Sequence, residues 1–231
     1  MNSPSPTAAT GDPLAPLLAR GDTWRGRRGA RGGQRQPSGF AALDRLLGGG
    51  WPLGALSELI APVSGVGELR LLLPVLRQLT ADGRALAWVD PPWVPYAHAL
   101  AAQGLPMEQQ LWLRCDNEAD RVWALEQLLR SRQCGAVLAW QPPGDGRLLR
   151  RLQLAAESGG GLCVLWRRQA APVPAPVALR LQLQAAASGL CIRLDKRRGG
   201  WGGGSVVLDP ALPYRPVEAA DAFPEGAGAA C

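Results

Sequence analysis

The sequence predicts an α/β fold with a mostly parallel central sheet flanked by helices, extended near its end by a β-hairpin. Three observations lead there. Short apolar runs alternate with amphipathic stretches from Leu43 onward, which is how strands and crossover helices alternate along a chain. Two adjacent segments after Trp166 alternate apolar and polar residues with a glycine-containing turn between them, the pattern of a hairpin. A chain of 231 residues, 47% of them hydrophobic, can bury one good-sized core.

In order along the chain, residues 1–37 are rich in Pro, Gly, Ser and Arg without apolar periodicity and are expected to be a disordered basic tail. The folded domain is expected over 38–209, with a second disordered tail over 210–231. Strands are expected at Ala55–Ile60, Arg84–Val89, Leu111–Cys115, Gly135–Trp140 and Leu162–Trp166. The hairpin is expected at Ala178–Gln184 and Leu190–Asp195, with one further short strand after "GGWGGGS". Between the first two strands, Leu69, Leu72, Leu73, Leu76 and Leu79 form the stripe of a helix packed on a sheet, kinked by Pro74. A second helix begins at the N-cap Asn117, and a third follows "GDG" at 144–146. His98 falls in a helix and has no sequence-visible catalytic partner.

Several functional classes are disfavoured by composition. The apolar runs are broken well short of the ~18 residues a membrane span requires. The N-terminus lacks the basic start and apolar middle of a secretory signal, so a cytoplasmic protein without membrane contact is expected. Five cysteines stand singly beside one histidine, so neither a zinc cluster nor a disulfide framework is expected. The formal charge of +6 points to an acidic partner, although the cations are nearly all arginine, Lys196 being the only lysine.

The phrase "GFAALDRLLGGGWPLG", residues 39–54, resembles the approach to the first core strand of RecA-like ATPases. A working phosphate loop follows it with G-x-x-x-x-G-K-[ST], whose amides surround phosphate while the lysine neutralises charge. Here the text is "APVSGVGELR". Aligned without a gap, Ala61, Val66, Gly67 and Glu68 take the two glycine, lysine and hydroxyl positions; with one inserted residue, Gly67 becomes the second glycine and Glu68 replaces the lysine. Either way the loop, with Ser64 and Gly65 inside it, loses its cation and gains a carboxylate, which repels phosphate. Asp90 is followed by two prolines where the resemblance would place a catalytic glutamate, and Gln141 stands where it would place a magnesium-orienting aspartate. The expectation is a RecA-like pseudo-ATPase with degenerate Walker A and Walker B motifs: no enzyme, and no cofactor or metal.

The phrases "GELRLLLPVL", "AWVDPPWVPYAHAL", "CGAVLAW" and "LDKRRGG" together resemble the ImuA family of translesion synthesis proteins, which is related to the SulA division inhibitors. That resemblance implies an SOS-induced accessory factor of mutagenesis. Its implied partners are an ImuB-like inactive polymerase homologue, RecA and an error-prone C-family polymerase. The alternative it leaves open is a SulA-like inhibitor binding FtsZ; a second alternative, an active RecA-like ATPase, is disfavoured by the loop. Independently of family, Lys196, Arg197 and Arg198 with Trp201 place three cations and an aromatic past the hairpin, a candidate surface for DNA phosphate or an acidic partner. Trp51 and Trp93, each beside a proline, are read as exposed core lids or partner anchors.

Overall fold

The computed structural model describes residues 34–169, 176–200 and 202–209, all within the unit Gly33–Cys231. The tails over 1–33 and 210–231 and the candidate Trp201 lie outside the described residues.

The strands are β1 (Arg35–Gln36), β2 (Trp51–Pro52), β3 (Ala55–Ile60), β4 (Ala85–Val89), β5 (Gln110–Leu113), β6 (Cys134–Trp140), β7 (Leu162–Arg167), β8 (Leu179–Ala186), β9 (Gly189–Arg197) and β10 (Ser205–Leu208). The helices are α1 (Ala41–Leu47), α2 (Glu68–Thr80), α3 (Ala97–Ala102), α4 (Glu118–Arg130) and α5 (Gly146–Gly159). Within the described residues, eight strands form one sheet in the order β10-β9-β8-β3-β7-β6-β4-β5. From β8 to β5 all neighbours are parallel; β9 and β10 turn the sheet antiparallel at one edge.

The central parallel strands β3, β4, β6 and β7 are buried on both faces, which is why they read as nearly continuous apolar runs. Alternate residues divide into two cores. Leu59, Trp88, Leu138 and Val164 pack on the face covered by α1 and α2, while Leu56, Ala87, Val137 and Cys163 pack under α4 and α5. Helix α2 carries Pro74 inside it and buries Leu72, Leu76 and Leu79. Helix α4 starts as its sequence requires, the Asn117 side chain accepting the Asp120 N–H at 2.9 Å.

Two parts of the lead-in differ from the sequence reading. Arg35 and Gln36, assigned to the tail, pair with Pro52 and Trp51. Trp51 is not a surface lid but is fully buried in the core. The glycine phrase between them works as a turn. Gly48 ends α1 in the left-handed region at φ 73°, and a Cβ on Gly50, at φ 113°, would sit 2.3 Å from the Gln36 carbonyl oxygen.

Candidate functional site at the carboxyl edge of the sheet

The carboxyl ends of β3, β4, β6 and β7 meet in a cleft of ≈ 470 Å³. Open parallel sheets place ligand crevices at this edge. Ala61 and Ser64 of the loop before α2, and Glu68 at its first position, line it together with Asp90, Trp140, Gln141, Trp166 and Arg167.

Helix α2 starts at Glu68, with Gly67 as its left-handed N-cap at φ 104°. The Glu68 carboxylate folds back on the loop, Oε1 accepting the Gly65 N–H at 2.8 Å. The bond pins the loop two residues before the N-cap, with the carboxylate at the first helical position, where the helix dipole favours a negative charge. Glu68 Oε2 is buried and has no hydrogen-bond partner.

Asp90 and Gln141 directly follow β4 and β6, and both adopt positive φ, 51° and 54°. Non-glycine residues reach this region uncommonly, and they cluster where a chain end is held for a purpose. One side chain ties the two: Arg121 of α4 pairs with Asp90 through Nε and donates from Nη1 to the Gln141 carbonyl at 3.4 Å. Asp90 also accepts the Cys115 N–H at 2.7 Å, so its carboxylate is committed to holding the crossover.

Arg167 closes the opposite wall. Its Nε pairs with the fully buried Glu58, and its Nη2 donates to the Pro143 carbonyl at 2.6 Å. Arg180 of β8 pairs with the other oxygen of Glu58 at 2.5 Å. The floor is aromatic. Trp166 stacks on Trp140 at 4.4 Å between ring centroids, Trp140 on Trp88 at 6.0 Å, and Trp88 on Trp112 at 4.7 Å, all within 12° of parallel. Four adjacent strands therefore carry one continuous indole stack ending in the cleft.

The sequence reading located the loop but missed the stack, the Glu58 triad and Arg121. One signal was present: a tryptophan recurs near the end of each of four strands. The ion pairs had none, because Glu58, Arg167 and Arg180 come together only when β3, β7 and β8 pair.

The second candidate group lies elsewhere. Lys196 and Arg197 belong to β9 rather than to a mobile segment. Arg197 donates to the Leu46 carbonyl at 3.0 Å and thereby caps α1, where Arg35 also donates to Leu47 at 2.9 Å. Burial, with Arg197 nearby, lowers the Arg35 pKa. Burial, with Arg180 and Arg198 nearby, lowers that of Lys196. Arg198 is exposed, 3.6 Å from Glu157.

A third feature borders the cleft. Val63, Trp93, Val94 and Tyr96 are exposed, Trp93 at 76%, in the loops after β3 and β4.

Comparison with known proteins identifies the family. The family model described as cell division inhibitor SulA matches residues 54–163. A cell division inhibitor SulA from Serratia proteamaculans (strain 568) is 32% identical over 116 residues, 50% of this chain and 69% of the relative. The chain belongs to the SulA family. SulA proteins of Edwardsiella piscicida and Photorhabdus laumondii are 34% and 36% identical over 99 and 100 residues, each 43% of this chain. This chain spans 59% and 56% of the length of those two proteins, less than two thirds.

These matches correct the ImuA assignment, and with it the translesion role and the ImuB-like, RecA and polymerase partners. The reason is visible in the fold. "GELRLLLPVL" is α2 and "CGAVLAW" is β6, both inside 54–163 and both dictated by burial, so such phrases mark a shared core and not the partner it serves. No helix among the described residues is long and apolar enough to cross a membrane.

Proposed function

We propose that the protein halts cell division by binding FtsZ, acting in the cytoplasm in the DNA-damage response and without catalysis. The observation that carries this reading is membership of the SulA family, whose relatives are named cell division inhibitors. The family match covers β3 to the start of β7 with the helices between them, which includes most of the cleft, so that region should hold the inhibitory surface. Within it, Val63, Trp93, Val94 and Tyr96 form an exposed apolar rim of the kind that marks a protein interface. A non-catalytic role agrees with the cleft: Asp90 and Arg167, its committed charged groups, are tied to Arg121 and Glu58. The lead-in phrase and the ligand-edge cleft support a RecA-like ancestry for the sheet, with Ala61, Ser64, Gly65, Gly67 and Glu68 as its altered phosphate loop.

The test is direct. Purified protein added to FtsZ and GTP should suppress polymer light scattering in proportion to its concentration, and its overproduction should give filamentous cells. Replacing Trp93, Val94 and Tyr96 together with serine should abolish both effects. Unchanged FtsZ assembly at a tenfold excess of the wild-type protein would reject the reading.

A further inference from the structure

We infer that Arg121 of α4 is a positioning residue for the apolar rim: it is not one of the exposed rim residues, yet it holds the loop that carries Trp93, Val94 and Tyr96 in its binding shape. Its effect on affinity rests on the reading that this rim meets FtsZ, whereas its effect on the loop does not.

The loop is stiff and fixed at both ends. It runs from Asp90 to Tyr96 as "DPPWVPY", and Pro91, Pro92 and Pro95 each lock one φ at about −65°. At the far end the Tyr96 carbonyl accepts the Ala99 and Leu100 N–H groups at 3.0 and 3.1 Å, and Leu100 is buried in the core. At the near end Asp90 stands at φ 51°, uncommon for any residue with a side chain, and the proline after it restricts its backbone further. Such a conformation persists only where surrounding contacts over-determine it. Here the Asp90 N–H donates to the Leu113 carbonyl at 2.9 Å, while its carboxylate accepts the Cys115 N–H at 2.7 Å and pairs with Arg121.

The pattern recurs on the adjacent strand. Gln141, at φ 54°, precedes Pro142 and Pro143, and its carbonyl is the second acceptor of Arg121, at 3.4 Å. One guanidinium therefore fixes how two X-Pro-Pro loops leave the paired strands β4 and β6. The side chains of Asp90 and Arg121 are only 9% and 13% exposed. An ion pair so far out of water is often no more stabilising than apolar residues of the same volume, so its contribution here is the geometry it imposes. A loop ordered in advance loses less freedom when its aromatic anchors bind, and the difference appears as affinity.

The experiment compares Arg121→Gln and Arg121→Lys with the wild-type full chain, by NMR relaxation and by titration onto immobilised FtsZ. Lysine keeps the counter-charge of Asp90 but lacks the fork that reaches the Gln141 carbonyl as well, so Arg121→Lys serves if Arg121→Gln does not fold. In each variant the amide order parameters of Trp93, Val94 and Tyr96 should fall from about 0.85 to below about 0.6. Kd for FtsZ should rise about tenfold. In a Trp93→Ala background, Arg121→Lys should change Kd less than about threefold, because an effect that passes through the rim is lost with its anchor; a general loss of stability would act equally in both backgrounds. Wild-type order parameters or wild-type affinity in folded Arg121→Lys, or an undiminished effect in Trp93→Ala, would overturn the positioning role. Wild-type protein that fails to bind FtsZ rejects the FtsZ reading alone, and the order parameters then decide the positioning by themselves.

Discussion

Glu58 is a carboxylate with no exposure to water, held between arginines from the strands on either side of its own. A charge in that position survives only because both oxygens are paired, so it fixes which strands may lie next to β3. Replacing it with glutamine leaves two guanidinium groups without their counter-charge. Glu58→Gln should lower the unfolding free energy by about 3–5 kcal/mol in a urea titration. The same low-dielectric interior acts on Cys163, whose thiol is pushed up to about 12 by burial. A thiol that stays protonated in the fold but ionises when unfolded stabilises fully below its ordinary value of 9.0. As pH rises above that value the unfolded chain alone loses the proton, so stability falls. The slope from this group should be about 1.4 kcal/mol per pH unit between 9 and 12, absent in Cys163→Ala. Urea melts at stepped pH measure it.

At the scale of elements, the order of the sheet is written into side chains that reach across strands. Trp88 lies at the middle of the indole stack, fully buried, with Nε1 donating to the Gln110 side chain at 2.8 Å. Trp88→Ala should cost about 3–5 kcal/mol, as deletion of a core aromatic does. Helix α4 is fixed by a more local device. Asn117→Ala removes one cap and should cost about 1 kcal/mol in the same melt. Arg197, at first sight a candidate ligand for phosphate, has an element-scale role, since its guanidinium meets the carbonyl end of α1. Arg197→Ala should therefore lower Tm even in the absence of any partner.

For the whole molecule, the two cores lie on opposite faces of the sheet, and the cleft opens at its carboxyl edge. Trp93, Val94 and Tyr96 lie outside both cores, so their replacement by serine should leave Tm within a few degrees of wild type. Differential scanning calorimetry of that triple variant separates a lost interface from a lost fold. The family match spans 54–163, which is β3 to the start of β7 and excludes the edge hairpin β8–β9 and β10. The hairpin lies beyond the matched segment and supplies Arg180 to the Glu58 triad.

The sequence by itself determined the alternation of strands and helices, the parallel sheet, the Asn117 cap and the terminal hairpin. Each of these is written in neighbours a few residues apart, through burial periodicity, turn residues and caps. It also located the loop before α2 and showed that its lysine position holds no cation. Tertiary structure decided what that loop does, by folding Glu68 onto Gly65 at the cleft. It alone assembled the indole stack, the Glu58 triad and the Arg121 tie between Asp90 and Gln141. It placed Trp51 inside and Trp93 outside, although each stands beside a proline in the sequence. The physical reason is separation along the chain: Glu58 meets Arg167 and Arg180 across more than a hundred residues, and no local pattern encodes a pairing that depends on strand order.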